Sequence, residues 1–176
     1  MSYIYHRVSK NLKGNNLYPL NILKEIYPEI YEQEFKKYTG RESLTLHRIP
    51  ILNCLWNDVL HFSAVDPNDI KQARIEAGGD PDFTMTCFEV EPEILDPENS
   101  IVYLYAQVNV KDKLDKDNFI QYRPEETVKY SSLPQATKDY YKEMIAIGKP
   151  TLLYHRIPHI LYKGTLDITK LNTITI

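Results

Sequence analysis

Glycine is scarce, at six residues in 176, and none falls in a Gly-x-Gly-x-x-Gly, Walker A or Gly-x-Ser-x-Gly arrangement. The backbone loops that cradle phosphates and the nucleophile elbow are therefore excluded. Cysteine is scarcer still: Cys54 ("LNCLW") and Cys87 ("TMTCFEV") stand alone in apolar stretches with no CxxC or Cys/His ligand spacing, so both read as free, buried thiols. No cluster of histidines and carboxylates has ligand spacing either, and no metal is expected. Long hydrophobic runs are missing, as is a basic region followed by an apolar stretch at the start. No membrane span or leader is expected, and a reducing cytoplasm is the expected location. Charge of one sign is missing too. The net −3 is a balance of 24 acidic against 21 basic residues, which gives no long-range field for a polyanion and argues against general nucleic-acid binding. A local basic pocket stays open.

What the chain does have is 43% apolar and 26% charged residues, the proportions of a globular domain. Its aromatics are mostly tyrosine, fourteen against five phenylalanines and one tryptophan. Such rings have an apolar body and a hydroxyl that needs a partner, and they suit sheet faces and cleft walls. The length fits one domain over 1–176.

Periodicity gives the element order. "YIYHRV" predicts a strand that stops at a turn, "KGNN". Leu20, Leu23, Tyr27, Ile30, Tyr31 and Phe35 recur at helical spacing, with Pro28 between two short helices and Gly40 closing the second. Residues 57–65 predict a strand. Asp66 then caps a helix whose first position is Pro67 and whose buried stripe is Ile70, Ala73 and Ala77, ended by Gly78. "FTMTCFEVE" and "SIVYLYAQV" predict strands joined by "PEILDPEN", a single helical turn. The charged stretch "NVKDKLDKDNFIQYRPEE" predicts an exposed, mobile loop. Residues 134–147 predict a helix with Ala136, Tyr140, Tyr141, Met144 and Ile145 inward and Gly148 behind it. "PTLLYHRIPHI" predicts a strand, followed by a turn at "YKG", a helical turn at "DITKL" and a terminal strand "NTITI". Strands and helices mix without βαβ alternation. The expected class is α+β, a mixed or split antiparallel-rich sheet with four or five short helices.

One motif recurs: "YHR" at residues 5–7 and 154–156, with a further "HRIP" at 47–50. Side chains alternate along a strand, so each Tyr-His-Arg strand is expected to place His6 or His155 on an apolar face and Arg7 or Arg156 beside Tyr5 or Tyr154 on the other. Structurally, such a histidine fills a core and such an arginine stacks in a surface ladder. Functionally, Arg7 and Arg156 supply planar forks for phosphate or carboxylate, with Tyr154 stacking on a base or sugar, and the two guanidinium groups share one recess. In "VLHFSAV", His61 and Ser63 lie on one strand face and can protonate and hold a phosphate oxygen. This resembles half of the signature of the two-histidine phosphoesterases, whose second His-x-Ser/Thr is missing here. In "CFEVEPE", Glu89 and Glu91 share a face as a carboxylate pair.

Over nearly its full length, through "YHR", "LYPLN", "LNCLWNDVLHFS" and "LLYHRIPHILYKG", the chain resembles a set of small bacterial proteins to which no activity is assigned. More distantly it resembles the ADP-ribosyltransferases and RNA 2'-phosphotransferases. In those, a split sheet carries His or Arg on its first strand, then Ser or Tyr, then Glu, and here "IYHR", "LHFS" and "FEVEPEIL" would take those places. The resemblance implies that His6 or Arg7 grips the adenylate side of NAD as a substrate, that Ser63 or a tyrosine packs the nicotinamide, and that Glu91 or Glu89 orients its ribose. The pattern departs in one respect: the families' glutamate falls near the end of the fold, whereas 85 residues follow Glu91. The expectation is a nucleotide-handling enzyme using His61, Ser63 and Glu91 for chemistry and His6, Arg7, Tyr154, His155 and Arg156 for a small anionic ligand. The alternative is a non-catalytic binding or protein-interaction module. Oligomeric state is left open.

Overall fold

A computed structural model describes residues 2–105 and 114–176. In chain order the strands are β1 (Ile4–Arg7), β2 (Asn16–Leu17), β3 (Arg48–Ile49), β4 (Cys54–Leu55), β5 (Leu60–Phe62), β6 (Thr86–Val90), β7 (Ser100–Tyr103), β8 (Phe119–Gln121), β9 (His159–Tyr162), β10 (Leu166–Asp167) and β11 (Asn172–Thr175). The α-helices are α1 (Leu20–Ile26), α2 (Pro28–Phe35), α3 (Pro67–Glu76) and α4 (Gln135–Ala146), supplemented by 3-10 turns. The class is α+β, as expected.

Two antiparallel sheets carry the architecture, ordered β1-β6-β11 and β5-β9-β7-β8. They touch at one rung, where Tyr5 N–H donates to the Ser63 carbonyl at 2.7 Å and Ser63 N–H to the Tyr5 carbonyl at 3.0 Å. The sheet is thus split, with the open end of β1 beside β5. The four-stranded sheet is buried on both faces: Val102 and Ile160 join a cluster with Ile4, Phe62, Phe88 and Tyr122, while Ile101, Tyr103 and Leu161 join one with Ile49, Trp56 and Phe119. Two-sided burial explains why "SIVY" and "HILY" are continuous apolar runs with no polar alternation.

The helices follow their local signals. Pro28 opens α2 directly behind α1, and a 3-10 turn, Lys36–Tyr38, prolongs it toward Gly40, whose φ of +79° suits a residue without a Cβ. Asp66 caps α3 by accepting the Asn68 N–H at 2.8 Å, and Ile70 and Ala73 are buried against Tyr140 and Tyr141 of α4. Both cysteines are buried and free. Among the described residues no helix is long and apolar enough to cross a membrane.

Several expectations are corrected. Residues 153–156 form a turn, with Arg156 at φ +63°, and the strand starts only at His159. Pro150 and Pro158 carry no N–H for a ladder. The backbone is held by hydroxyls of α4 instead: Leu152 N–H donates to Tyr140 Oη at 3.1 Å, Thr137 Oγ1 donates to the His155 carbonyl at 2.9 Å, and Tyr141 Oη donates to the Leu153 carbonyl. The expected alternation of His155 and Arg156 across a strand therefore does not exist. On α4 it is Thr137 that is buried, while Ala136 is exposed. The expected loop after residue 108 lies in part outside the described residues. Its later portion contains β8 and a 3-10 turn, Pro124–Tyr130, anchored by buried Tyr122, whose hydroxyl donates to the Pro92 carbonyl at 2.8 Å. The expected strand at 57–65 is preceded by a 3-10 turn, Trp56–Asp58, and narrows to β5. "PEILDPEN" holds two 3-10 turns, and "DITKL" begins in β10, paired with β2.

Candidate functional site

Where β1 ends, beside β5 and under α2, the surface opens into a cleft of about 500 Å³. A second chamber of about 420 Å³ adjoins it. Both have the size of small-molecule sites. His6, Arg7, Glu34, Lys37, His61, Tyr154 and His159 line both chambers and form a common wall. All five histidines of the chain border the larger one.

Backbone carbonyls fix the tautomers of three rings, because a carbonyl only accepts and the facing nitrogen must carry the proton. His6 Nδ1 donates to the His61 carbonyl at 2.8 Å, His61 Nε2 to the Trp56 carbonyl at 3.1 Å, and His159 Nδ1 to the Ile157 carbonyl at 2.6 Å. The other nitrogen of each ring is left as a lone pair with no hydrogen bond to a described residue. Burial holds these rings neutral. It pushes the His6 pKa down to about 4, opposed by the carbonyl bond and helped by Lys37. It lowers His61 well below the usual value, with His159 adding to the effect, and it lowers His159 itself. His155 falls to about 4, through desolvation and then Arg156 and Arg41. Its Nδ1 lies 2.9 Å from the Tyr105 hydroxyl.

The basic side chains of the cleft are Arg7, Lys13, Lys37 and Arg41, of which Lys13 is paired with Glu29 at 2.8 Å. Arg41 Nη2 donates to the Lys37 carbonyl at 2.6 Å. Arg7 and Lys37 make neither a hydrogen bond nor an ion pair with a described residue. Lys37 and Arg7 are both exposed; the concave walls around Lys37 lower its pKa by desolvation, and its Nζ lies 5.5 Å from the centre of the Tyr38 ring. Glu34 opposes that shift, and Arg7 and Arg41 reinforce it. Glu34 is the one carboxylate on the described wall of either chamber, and it accepts from Ser9 Oγ at 2.5 Å. The same cleft is bordered by aromatic rings: Trp56 meets Tyr103 edge-on at 5.6 Å, and Tyr103 lies 5.9 Å from Tyr105. Trp56 and Tyr103 are nearly buried, with Tyr103 stacked on Phe119 at 4.9 Å, so Tyr105 is the half-buried ring of the three.

The structure brings together His6, Arg7, His61 and Tyr154 at the common wall, Ser63 in the smaller chamber and His155 in the larger. Ser63 is buried and its Oγ accepts the Val65 N–H at 3.1 Å. Arg156 lines neither chamber, and its Nη1 donates to the Ala136 carbonyl at 3.3 Å. The expected meeting of Arg7 and Arg156 in one recess is thus overturned, because the left-handed backbone at Arg156 turns the second motif away from β-geometry. Of the third motif, His47 borders the cleft, while Arg48 Nη2 donates to Asn53 Oδ1 at 2.9 Å. Glu89 and Glu91 border neither chamber, and Glu91 is exposed. Sequence reasoning missed Glu34, Lys37 and Arg41. Part of their signal was present: buried Ile30, Glu34 and Lys37 fall at i, i+4 and i+7, one helical face, whereas Arg41 lies beyond Gly40, where the helix has ended. Among the described residues no group of three His, Cys, Asp or Glu is placed to hold a metal ion.

No family model, no curated protein and no solved structure matches this chain.

Proposed function

We propose that the cleft binds a small phosphorylated ligand carrying an aromatic ring, of which NAD is the candidate, and that the protein is a nucleotide-handling enzyme of ADP-ribosyltransferase-like type. The observation that carries this reading is the pair Arg7 and Lys37. Neither makes an ion pair with a described residue, and both stand on a wall shared by two chambers. Ligand phosphate would supply the missing partner, since guanidinium meets phosphate oxygens through a planar fork and ammonium meets them as a point charge. Half-buried Tyr105 would take a ring. The reading draws support from the split sheet, with His6-Arg7 on its first strand and His61 and Ser63 reached across the Tyr5–Ser63 rung, although Glu89 and Glu91 lie outside both chambers.

For transfer chemistry, the bond between ribose C1′ and the nicotinamide nitrogen breaks with its electron pair leaving on nicotinamide. An acceptor lone pair then forms the new bond at C1′, and the acceptor's proton passes to a base. In this reading Glu34, in place of Glu91, offsets the positive charge that develops on the ribose, and a neutral imidazole such as His61 takes the proton.

The test is calorimetric titration with ADP, NAD and adenosine, together with a nicotinamide-release assay. ADP and NAD are expected to bind at least about tenfold more tightly than adenosine. Arg7→Ala and Lys37→Ala should each erase most of that difference, and Glu34→Gln should abolish release while leaving binding. Absence of phosphate-dependent binding would overturn the reading. Binding without release by the wild type would leave the alternative, a non-catalytic nucleotide-binding module.

A further inference from the structure

Ser9 stands just beyond β1, where the ladder with β6 runs on to Val8, whose N–H donates to the Thr86 carbonyl at 2.8 Å. It is half-buried and lines the smaller chamber together with Arg7, Glu34 and Lys37. Its Oγ donates to Glu34 Oε1 at 2.5 Å and accepts the Asn11 N–H at 3.1 Å. A hydroxyl has one proton and two lone pairs. Here the proton is committed to a carboxylate and one lone pair to the backbone, and one lone pair remains.

The contact is held from both sides. Beyond Ser9 the chain turns, with the Leu12 N–H donating to the Ser9 carbonyl at 3.2 Å, and Lys13 then pairs with Glu29 of α2 at 2.8 Å. A hydroxyl bonded to a carboxylate can serve only to anchor a loop to a helix. This one also lies on a cavity wall, beside two cations suited to phosphate. Its carboxylate forms no ion pair among the described residues, although Lys37 follows one turn on, so it keeps the capacity of a base. A nucleophile and a base within hydrogen-bond reach of each other are the signature of an activated hydroxyl.

We propose that Ser9 is a covalent acceptor within the protein itself, taking an ADP-ribosyl group from NAD with Glu34 as its general base. The proposal rests on the reading of the cleft as an NAD site, and it adds what the group is transferred to. As the bond between ribose C1′ and nicotinamide breaks, its electron pair leaves on nicotinamide. The remaining lone pair of Ser9 Oγ forms the new bond to C1′, and the hydroxyl proton passes to Glu34 along the hydrogen bond already made. The products are nicotinamide, a serine O-glycoside and a carboxylic acid that returns its proton to solvent. With Ser9 as acceptor, no imidazole is needed to take the proton.

The test incubates the protein with NAD, follows the adduct by intact mass and peptide mapping, and measures nicotinamide in parallel. In the wild type the adduct should map to Ser9, grow in step with nicotinamide, and form at a rate per molecule that does not depend on protein concentration. Ser9→Ala should form no adduct, and Ser9→Cys, which keeps a nucleophile at the site, should restore one. Glu34→Gln keeps an acceptor for the hydroxyl but cannot take its proton, and should slow the adduct about a hundredfold or more. A simple anchor would tolerate that exchange. Nicotinamide release with no adduct, or with the adduct on another residue, overturns the proposal and leaves the NAD reading standing. No release at all overturns both. Mapping on the wild type decides between these outcomes even if a variant fails to fold.

Discussion

Acidification should unfold this protein through its cleft. His6 titrates at about 4 in the fold against 6.5 for the free side chain, and a tenfold change in proton affinity corresponds to about 1.4 kcal/mol. The whole difference is about 3 kcal/mol, and partial solvent contact of the ring reduces it to about 2 kcal/mol. His155 also titrates at about 4, and its greater contact with solvent reduces its share to about 1 kcal/mol. His61 and His159 move in the same direction. Because these folded-state values are lowered, the unfolded chain takes up protons first. The stability is complete above about pH 6.5 and is lost as the pH falls toward 4. Lys37 near His6, and Arg156 and Arg41 near His155, oppose protonation in the fold, while Glu34 favours it at His6. His6 and His155 together amount to about 3 kcal/mol, a large part of the 5–15 kcal/mol typical of a domain. The exposed carboxylates with lowered values, such as Glu29, Glu42 and Asp167, act in the same direction only below about pH 4.5, so the window from 6.5 to 4.5 belongs to the histidines. Urea unfolding at pH 7.5, 6.5, 5.5 and 4.5, at constant ionic strength without phosphate, should give a midpoint that falls steadily below pH 6.5. His6→Gln should flatten the slope by up to one proton, about 1.4 kcal/mol per pH unit. A midpoint level from 7.5 to 5 would refute the burial argument for these rings.

The cleft floor depends on α4, so Tyr140→Phe, which removes the acceptor of the Leu152 N–H, should cost about 1 kcal/mol and weaken ADP binding, as read by thermal melting and calorimetry. Asp66→Ala should lower stability by about 1 kcal/mol through loss of the α3 cap. Ile70→Ala, at a fully buried position, should cost about 2–5 kcal/mol in chemical denaturation. Neither change touches the cleft, so both should leave ligand affinity of the folded protein unchanged.

Much of the fold was legible where a signal is local. The cap, proline and glycine around α3 name its ends residue by residue, and Pro28 between two periodic stretches separates α1 from α2. The loop expected after residue 108 failed because β8 has three residues among charged neighbours, and its strand character comes from pairing with β7, which no local pattern contains. "YHR" misled for a related reason. The same tripeptide is a strand in β1, where β6 pairs with it, and a turn at residues 154–156, where hydroxyls of α4 hold the backbone between two prolines.

The sequence by itself determined an α+β chain with buried free thiols and no metal-ligand spacing, and marked His6, Arg7 and His61 as neighbours of any cleft. Those features rest on periodicities and residue chemistry that act over a few positions. The tertiary structure decided that all five histidines share one cavity, that Glu34, Lys37 and Arg41 complete it, and that Arg156 and Glu91 do not. Convergence of this kind is set by the packing of β1, α2, β5 and the segment after α4, which are far apart along the chain. Burial there favours the neutral form of His6, His61, His155 and His159, beside the basic side chains of Arg7, Lys37 and Arg41.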